Sequence, residues 1–458
     1  MFPIIFLLII FLFYKEALSY FFISDDFLVF ASVKNLFDLI KIDPYNNHYT
    51  PIIKTIYFFL SEIFSFNPFP YHLYAIAIHL LNVYLVYSLS KIFFNQRLKN
   101  ILSALIFAFF FANYEVVFWF GGSNNSLLVT FYLLSLLSLI KFIKTKKNLF
   151  SLLFQVGFIC ALLTHEYAIS LVPVGIIYWW IFANKKSWQD FIKLFSVPVF
   201  FVVLTTILKV FFVKMPLIVR TPSILKFIAF TLRSIVYLFI PSPYIVDKIP
   251  NFLIPIIFLI ILVFIFKHTK NRRTLFLLIW ASVTIFVFSA TSAPQARYFY
   301  LSSIPIIIYI LSIVKIKKAI VVFYLLFIFI SGVVFLHRQK YYWQLSTVIT
   351  KNVIRDVKKH SKLLQKTDVL YFVNLPDSSN DSIWKAYIFR AGFKELINNF
   401  VNIYPKKIVY LTSFKPTNHT IEAPYINPEQ LSELKQKNII FIYKEDLKSV
   451  VLISNLQY

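Results

Sequence analysis

The feature that most constrains this chain is a series of long apolar runs. They lie at about 1–23, 71–93, 100–120, 126–143, 148–165, 167–183, 191–213, 251–267, 274–290, 298–314 and 319–337. A helix of roughly 17–25 such residues crosses the hydrocarbon core of a bilayer, where every backbone polar group must be satisfied within the segment. The runs therefore predict an α-helical polytopic membrane protein with about eleven transmembrane helices. Composition agrees, with 59% apolar and only 14% charged residues. A soluble domain carries about 25% charged residues. A soluble enzyme, a disordered chain and a disulfide scaffold are excluded, the last because Cys160 is the single cysteine.

A formal charge of +26 points at first sight to nucleic acid. Its distribution points elsewhere. Basic residues crowd into short loops between alternate runs: Lys91, Arg97, Lys99; Lys141, Lys144, Lys146, Lys147; Lys185, Lys186, Lys193; Lys267, Lys270, Arg272, Arg273; and Lys315, Lys317, Lys318. The opposite loops at 121–125 and 165–166 have no Lys or Arg. This is the positive-inside pattern, a topology signal, and no nucleic-acid partner is expected. The shorter run 224–240 carries Arg233 near its middle, a costly position at the bilayer centre. If 224–240 does not span, all five basic loops fall on one face. We therefore expect a multi-pass cell-membrane protein with a cytoplasmic N-terminus and 214–250 as an outer or re-entrant segment.

Two regions stand outside this pattern. Residues 24–70 form a first outer loop of the transmembrane domain, 1–337. Residues 338–458 hold 18 Lys/Arg and 10 Asp/Glu, with apolar runs DVLYFVN (368–374), KIVYLTS (407–413) and NIIFIYK (438–444). These read as buried strands between helical stretches, so the tail is expected to be a small extracytoplasmic α/β domain.

Acids are scarce before residue 338: Glu16, Asp25, Asp26, Asp38, Asp43, Glu62, Glu115, Glu166, Asp190 and Asp247. Asp25, Asp26, Glu115 and Glu166 sit at outer span ends. Ionisable groups at membrane depth are functional candidates by default. Adjacent Asp25 and Asp26 should repel, raising one pKa and lowering the other, so that one can act as a base. His48 and His165 lie in the outer segments, and a divalent cation held by Asp26, His165 and Glu166 is a possible cofactor. His72 and His79 share a helix face and, with Asn82, are expected to join helices. Arg297, flanked by Tyr298 and Tyr300, can grip a phosphate. Arg220 and Arg233 add positive charge on the outer side, where an anionic lipid group would account for it.

These residues carry a resemblance. SDDFLVF (24–30), HYTPI (48–52), NPFPYHLYAIAIHLLN (67–82), ANYEVVFWFGGSNNSL (112–127), LLTHEYAISLVP (162–173) and ARYFYLSSIP (296–305) follow one another as in the GT-C superfamily of polyprenyl-phosphate-sugar-dependent glycosyltransferases. The chain resembles its protein O-mannosyltransferase branch over about 1–310. The resemblance implies a membrane enzyme working at the outer face on a polyprenyl-phosphate sugar, with a protein, glycolipid or wall polymer as acceptor. It implies Asp25 as catalytic base and Asp26 beside it in support. It also implies a cavity lined by His48, Glu115, His165 and Glu166. Arg297, with Tyr298, Tyr300, Arg220 and Arg233, would bind the donor phosphate and lipid. Transfer would proceed with inversion. A flippase for lipid-linked sugar, a polysaccharide polymerase or ligase, and a scaffold are the rivals. A transporter would place charges at the midplane of repeated halves, and no internal repeat is visible.

Overall fold

A computed structural model describes residues 4–42, 49–208, 223–289, 295–314, 319–365, 367–380, 382–413 and 421–453. The helices before the C-terminal region are α1 (Ile4–Tyr14), α2 (Asp26–Ser32), α3 (Pro51–Phe64), α4 (Pro68–Phe93), α5 (Arg97–Ala108), α6 (Tyr114–Phe118), α7 (Ser123–Thr145), α8 (Asn148–Thr164) and α9 (Leu171–Phe182). They continue with α10 (Trp188–Ile207), α11 (Ile224–Phe239), α12 (Pro243–Val246), α13 (Ile254–His268), α14 (Arg272–Ser289), α15 (Ala296–Ile313) and α16 (Ala319–Lys358). The protein is thus a helical multi-pass membrane protein with a small sheet at its C-terminal end.

Among the described residues, seven helices are long and apolar enough to cross a membrane. The pair α5 and α6, bent by 48° at Phe109–Phe110, makes an eighth. The expected runs 1–23, 148–165 and 167–183 appear as shorter helices. Helix starts follow local chemistry. The Asn67 side chain accepts from the Phe69 N–H, and prolines occupy the first positions of α4, where a missing N–H costs nothing. The break between α5 and α6 is packed by α16, which crosses so closely at Gly332 that a Cβ there would stand 2.0 Å from the Phe109 carbonyl oxygen.

Among the described residues, the basic loops bond to neighbouring helix ends at one end of the bundle. Lys146 pairs with Asp190 at 2.5 Å, Lys193 reaches Asn148, and Lys99 caps the C-terminus of α15 through the Leu311 and Val314 carbonyls. Helix α11 and the segment after it form a hairpin. From the middle of α11, Arg233 donates to Asn251 and to the carbonyls of Val246 and Ile249. The two terminal nitrogens of the costly Arg of the 224–240 run are therefore satisfied by the returning chain, while its buried Nε finds no partner among the described residues.

At the other end sits a four-stranded sheet: β1 (Val369–Val373), β2 (Lys407–Leu411), β3 (Ile439–Lys444) and β4 (Ser449–Leu452), in the order β2-β1-β3-β4. β1 is parallel to both neighbours, and β4 closes antiparallel on β3. The helix α17 (Pro428–Lys437) leads into β3. Helix α16, 40 residues long, runs from the bundle into this layer without a break at 337/338. One apolar core joins the layer to the first loop: Phe22, Phe27, Tyr57 and Phe120 pack in the same cluster as Ile349, Leu370, Phe393 and Phe441. The described residues of 24–70 and of the C-terminal region thus form one layer around a shared apolar core.

Candidate active site

The chain enters this layer through a tight turn at Ile23–Phe27. Asp26 starts α2 but points inward. Its carboxylate accepts from the Ile23 N–H at 3.0 Å and from the Gly121 N–H at 2.8 Å, and the residue is fully buried. Burial pushes its pKa up to about 8, against the backbone donors that favour the ionised form and with a smaller contribution from Asp25. Asp26 is a strut between the turn and the α6–α7 junction.

Asp25 points the other way. It is half-buried, accepts from the Ser24 hydroxyl at 3.2 Å, and lines a cavity of about 140 Å³. Thr50, Ile53 and Lys54 of the α3 region form one wall of that cavity. Trp119, Gly121, Asn124 and Asn125 form another. His165 and Arg297 complete it. Residues from five distant stretches of sequence therefore converge on one space.

Arg297 lies in the first turn of α15 and is held from behind. Glu115, only 1% exposed, accepts from the Arg297 backbone N–H at 2.8 Å and faces its guanidinium at 3.5 Å. The carboxylate thus satisfies an unpaired donor at a helix N-terminus and balances the buried cation. Removing it would leave a guanidinium uncompensated, at a cost of about 3–5 kcal/mol. The guanidinium also sits 5.2 Å from the ring centres of Trp119 and Tyr298, within cation–π range. A ring series extends from there. Tyr298 meets Tyr167 edge-on at 5.1 Å, and Tyr167 stacks on His165 at 4.4 Å. His165 Nδ1 accepts from the Tyr167 N–H at 3.3 Å.

Beside the polar cavity lies a narrow apolar crevice that shares Asn125 and Arg297 with it. Leu128, Val129, Phe288, Tyr298 and Leu301 line it. A polar space with a cation at its border and an apolar crevice beyond suits an amphiphile with an anionic head.

Several expected residues are placed elsewhere. Glu115 stands behind Arg297 and is not on the cavity wall. Glu166 opens the 3-10 turn Glu166–Ser170 next to His165, also off that wall. Tyr300, one turn below Arg297, is buried between helices, where its hydroxyl bonds His79 Nδ1 at 2.8 Å and Asn82 at 3.3 Å. Asn82 in turn holds the Ser126 carbonyl and the Thr130 hydroxyl. His79 and Asn82 join helices, as expected, whereas both ring nitrogens of buried His72 lack a hydrogen-bond partner. Arg233 serves the hairpin after α11. His48 and Arg220 lie outside the described residues. The suggested cation set needs correction. Asp26 is spent on backbone donors behind the wall, and among the described residues no three His, Cys, Asp or Glu side chains converge as a metal site.

Lys54 is the main residue not singled out from sequence. It is 2% exposed, and its ammonium donates to the carbonyls of Lys41 at 2.8 Å and Asp38 at 3.3 Å. The available signal was a Lys in a loop on the face that avoids Lys and Arg.

Residues 48–211 match the family model described as dolichyl-phosphate-mannose-protein mannosyltransferase. The whole fold matches the crystal structure of ArnT from Cupriavidus metallidurans in the apo state. The TM-score is 0.51 at 11% identity, covering 97% of this chain and 93% of that one. Over residues 48–211 the chain is thus similar to this mannosyltransferase family, and its overall fold is that of ArnT. The same ArnT bound to undecaprenyl phosphate aligns at a TM-score of 0.49, with 11% identity and the same coverage. No curated protein sequence gives a significant match. The family match contains Lys54, Trp119, Asn124, Asn125 and His165 but neither Asp25 nor Arg297, so the cavity joins matched and unmatched stretches.

Proposed function

We propose that this chain is a GT-C glycosyltransferase that moves a monosaccharide from a polyprenyl-phosphate carrier to an acceptor hydroxyl, with inversion at the anomeric carbon. The observation that carries this is the cavity itself. It sets the Asp25 carboxylate and the Arg297 guanidinium around one space that Lys54 also lines, beside an apolar crevice. The match to a family described by a dolichyl-phosphate sugar donor supports the donor class. The sheet-bearing face is extracytoplasmic in this proposal, because the basic loops gather at the opposite end. The acceptor is a hydroxyl of a protein, glycolipid or wall polymer.

Asp25 takes the proton of the acceptor hydroxyl. The freed oxygen bonds to the anomeric carbon as the bond from that carbon to the phosphate oxygen breaks. The electron pair leaves on the phosphate, whose growing charge Arg297 balances. A preorganised cation in a partly dry site is worth several kcal/mol to such a leaving group. No acid is required, unlike the two-carboxylate pattern of glycoside hydrolysis. Arg297 acts as donor-phosphate ligand, with Tyr298 packing the lipid end. His165 lines the acceptor side. Glu115 positions Arg297, and Asp26 supports the Asp25 turn.

The test is release of polyprenyl phosphate from radiolabelled polyprenyl-phosphate hexoses by purified protein in lipid. Wild type is expected to release it, and Asp25→Asn to bind donor without turning it over. General-base loss is expected to cost roughly 10²–10⁴-fold. Normal turnover in a folded Asp25→Asn protein would refute the assignment.

A further inference from the structure

The sheet domain puts no side chain on the wall of the polar cavity, yet its backbone grips the turn that carries Asp25. Ser24 has φ +49, a conformation that costs free energy for a residue with a Cβ. Its N–H donates to the Ile388 carbonyl at 2.9 Å. Its own carbonyl faces Gly392, which stands at φ +73. A Cβ at 392 would come within 2.8 Å of that oxygen, 3.0 Å of Phe27 Cβ and 3.2 Å of the Leu28 nitrogen. The gripping segment is itself anchored. Trp384 Nε1 donates to Asp247 at 2.9 Å, and the Ser346 hydroxyl of α16 donates to the Ala386 carbonyl at 3.3 Å.

We propose that the C-terminal domain sets the aim of the Asp25 carboxylate, with Ile388 and Gly392 as positioning residues that hold the 23–28 turn in its strained form. The proposal deepens the functional reading above and rests on Asp25 being the base. Its physical content is that a strained backbone persists only where its surroundings over-determine it. Asp26 ties one side of the turn to Gly121, and the 388–392 segment closes the other. Without that second clamp Ser24 relaxes to negative φ and Asp25, the next residue, swings. A general base must reach its proton at hydrogen-bond distance, so its placement governs turnover far more than donor binding. The domain is then part of the catalytic apparatus and does more than shield the cavity or present an acceptor.

The test uses the full chain in lipid, with Gly392→Ala as the main variant. Gly392→Asn is the second variant, because Asn tolerates the left-handed backbone while keeping the crowding Cβ. Lys448→Val is the control, since Lys448 has φ +48 in the turn between β3 and β4 of the same domain. Hydrogen–deuterium exchange of the peptide covering 23–28 reports the clamp without any assay of activity. Radiolabelled polyprenyl-phosphate hexose supplies kcat and donor KM. Both Gly392 variants are expected to exchange faster at 23–28. Their kcat is expected to fall roughly ten- to a hundredfold, the scale of an ångström-sized misplacement, at unchanged donor KM. Lys448→Val is expected to lower the unfolding temperature at full kcat. Unchanged exchange at 23–28, or an equal kcat loss in Lys448→Val, overturns the proposal. Full kcat in both Gly392 variants beside an inactive Asp25→Asn overturns it alone and leaves the functional reading intact. Wild-type turnover by Asp25→Asn overturns both.

Discussion

Asp25 and Asp26 are adjacent, and Arg297 and Tyr300 lie one turn apart on α15, yet each pair divides between two regions. Asp25 and Arg297 face the cavity. Asp26 and Tyr300 lie behind it, fully buried, with their oxygens in hydrogen bonds to the protein's own groups. The difference teaches how to tell a reagent from a strut in a chain where both are scarce polar residues at one depth. The strut's bonding capacity is used up internally. The reagent is only partly engaged and borders open space.

The sharpest way to break the comparison is to truncate both acids. Asp25→Ala is expected to abolish transfer, by roughly 10²–10⁴-fold, with unfolding little changed. Asp26→Ala is expected to act on stability, because two buried N–H donors lose their acceptor at about 1–3 kcal/mol each. Turnover per folded molecule and thermal unfolding of both variants separate the two outcomes. If both lose only activity, the division fails.

The pH dependence sharpens the same contrast. The Asp26 pKa is raised in the fold to about 8, so the folded state holds a proton that the unfolded chain releases at lower pH. Its contribution to stability is full below the unfolded carboxylate pKa and is lost as pH rises through about 8. Asp26→Asn is expected to flatten that slope of unfolding temperature against pH. An unchanged slope would remove Asp26 as its source.

Smaller effects are expected on α15. Arg297→Lys keeps the charge but loses the planar fork and its two ring contacts, about 1–2 kcal/mol, read as roughly a tenfold fall in kcat/KM for donor. Tyr300→Phe is expected to cost about 0.6 kcal/mol of stability, the usual worth of a hydrogen bond between helices in a membrane, at full turnover. A loss of donor use by Tyr300→Phe would move that residue to the cavity side.

Much of the architecture was legible in the sequence because its signals are periodic and local. The strands expected at 368–374, 407–413 and 438–444 appear at 369–373, 407–411 and 439–444. The short β4 was not visible, since SVVL gains its strand only by pairing with β3. The boundary drawn at 337/338 marks the end of the apolar run but no break in the helix. Nothing local stops α16 there, and its polar continuation packs on the sheet domain. For the site, scarcity of charge brought out Asp25, His165 and Arg297. It could not separate Asp25 from Asp26, because which carboxylate meets the Gly121 N–H is decided by a stretch 95 residues away. Nor could it find Trp119 or Asn124, whose types are common at any membrane border.

Helix α16 has a consequence of its own. Near one end Gly332 admits the Phe109 carbonyl, and further along Ser346 and Thr347 hold Ala386 and Phe21. An α-helix turns by about 100° per residue. One residue inserted between Gly332 and Ser346 would therefore rotate everything beyond it by about a quarter turn, and Gly392 would no longer face Ser24. The loops of this chain carry no such constraint, whereas the interval between these two anchor points is fixed to the residue.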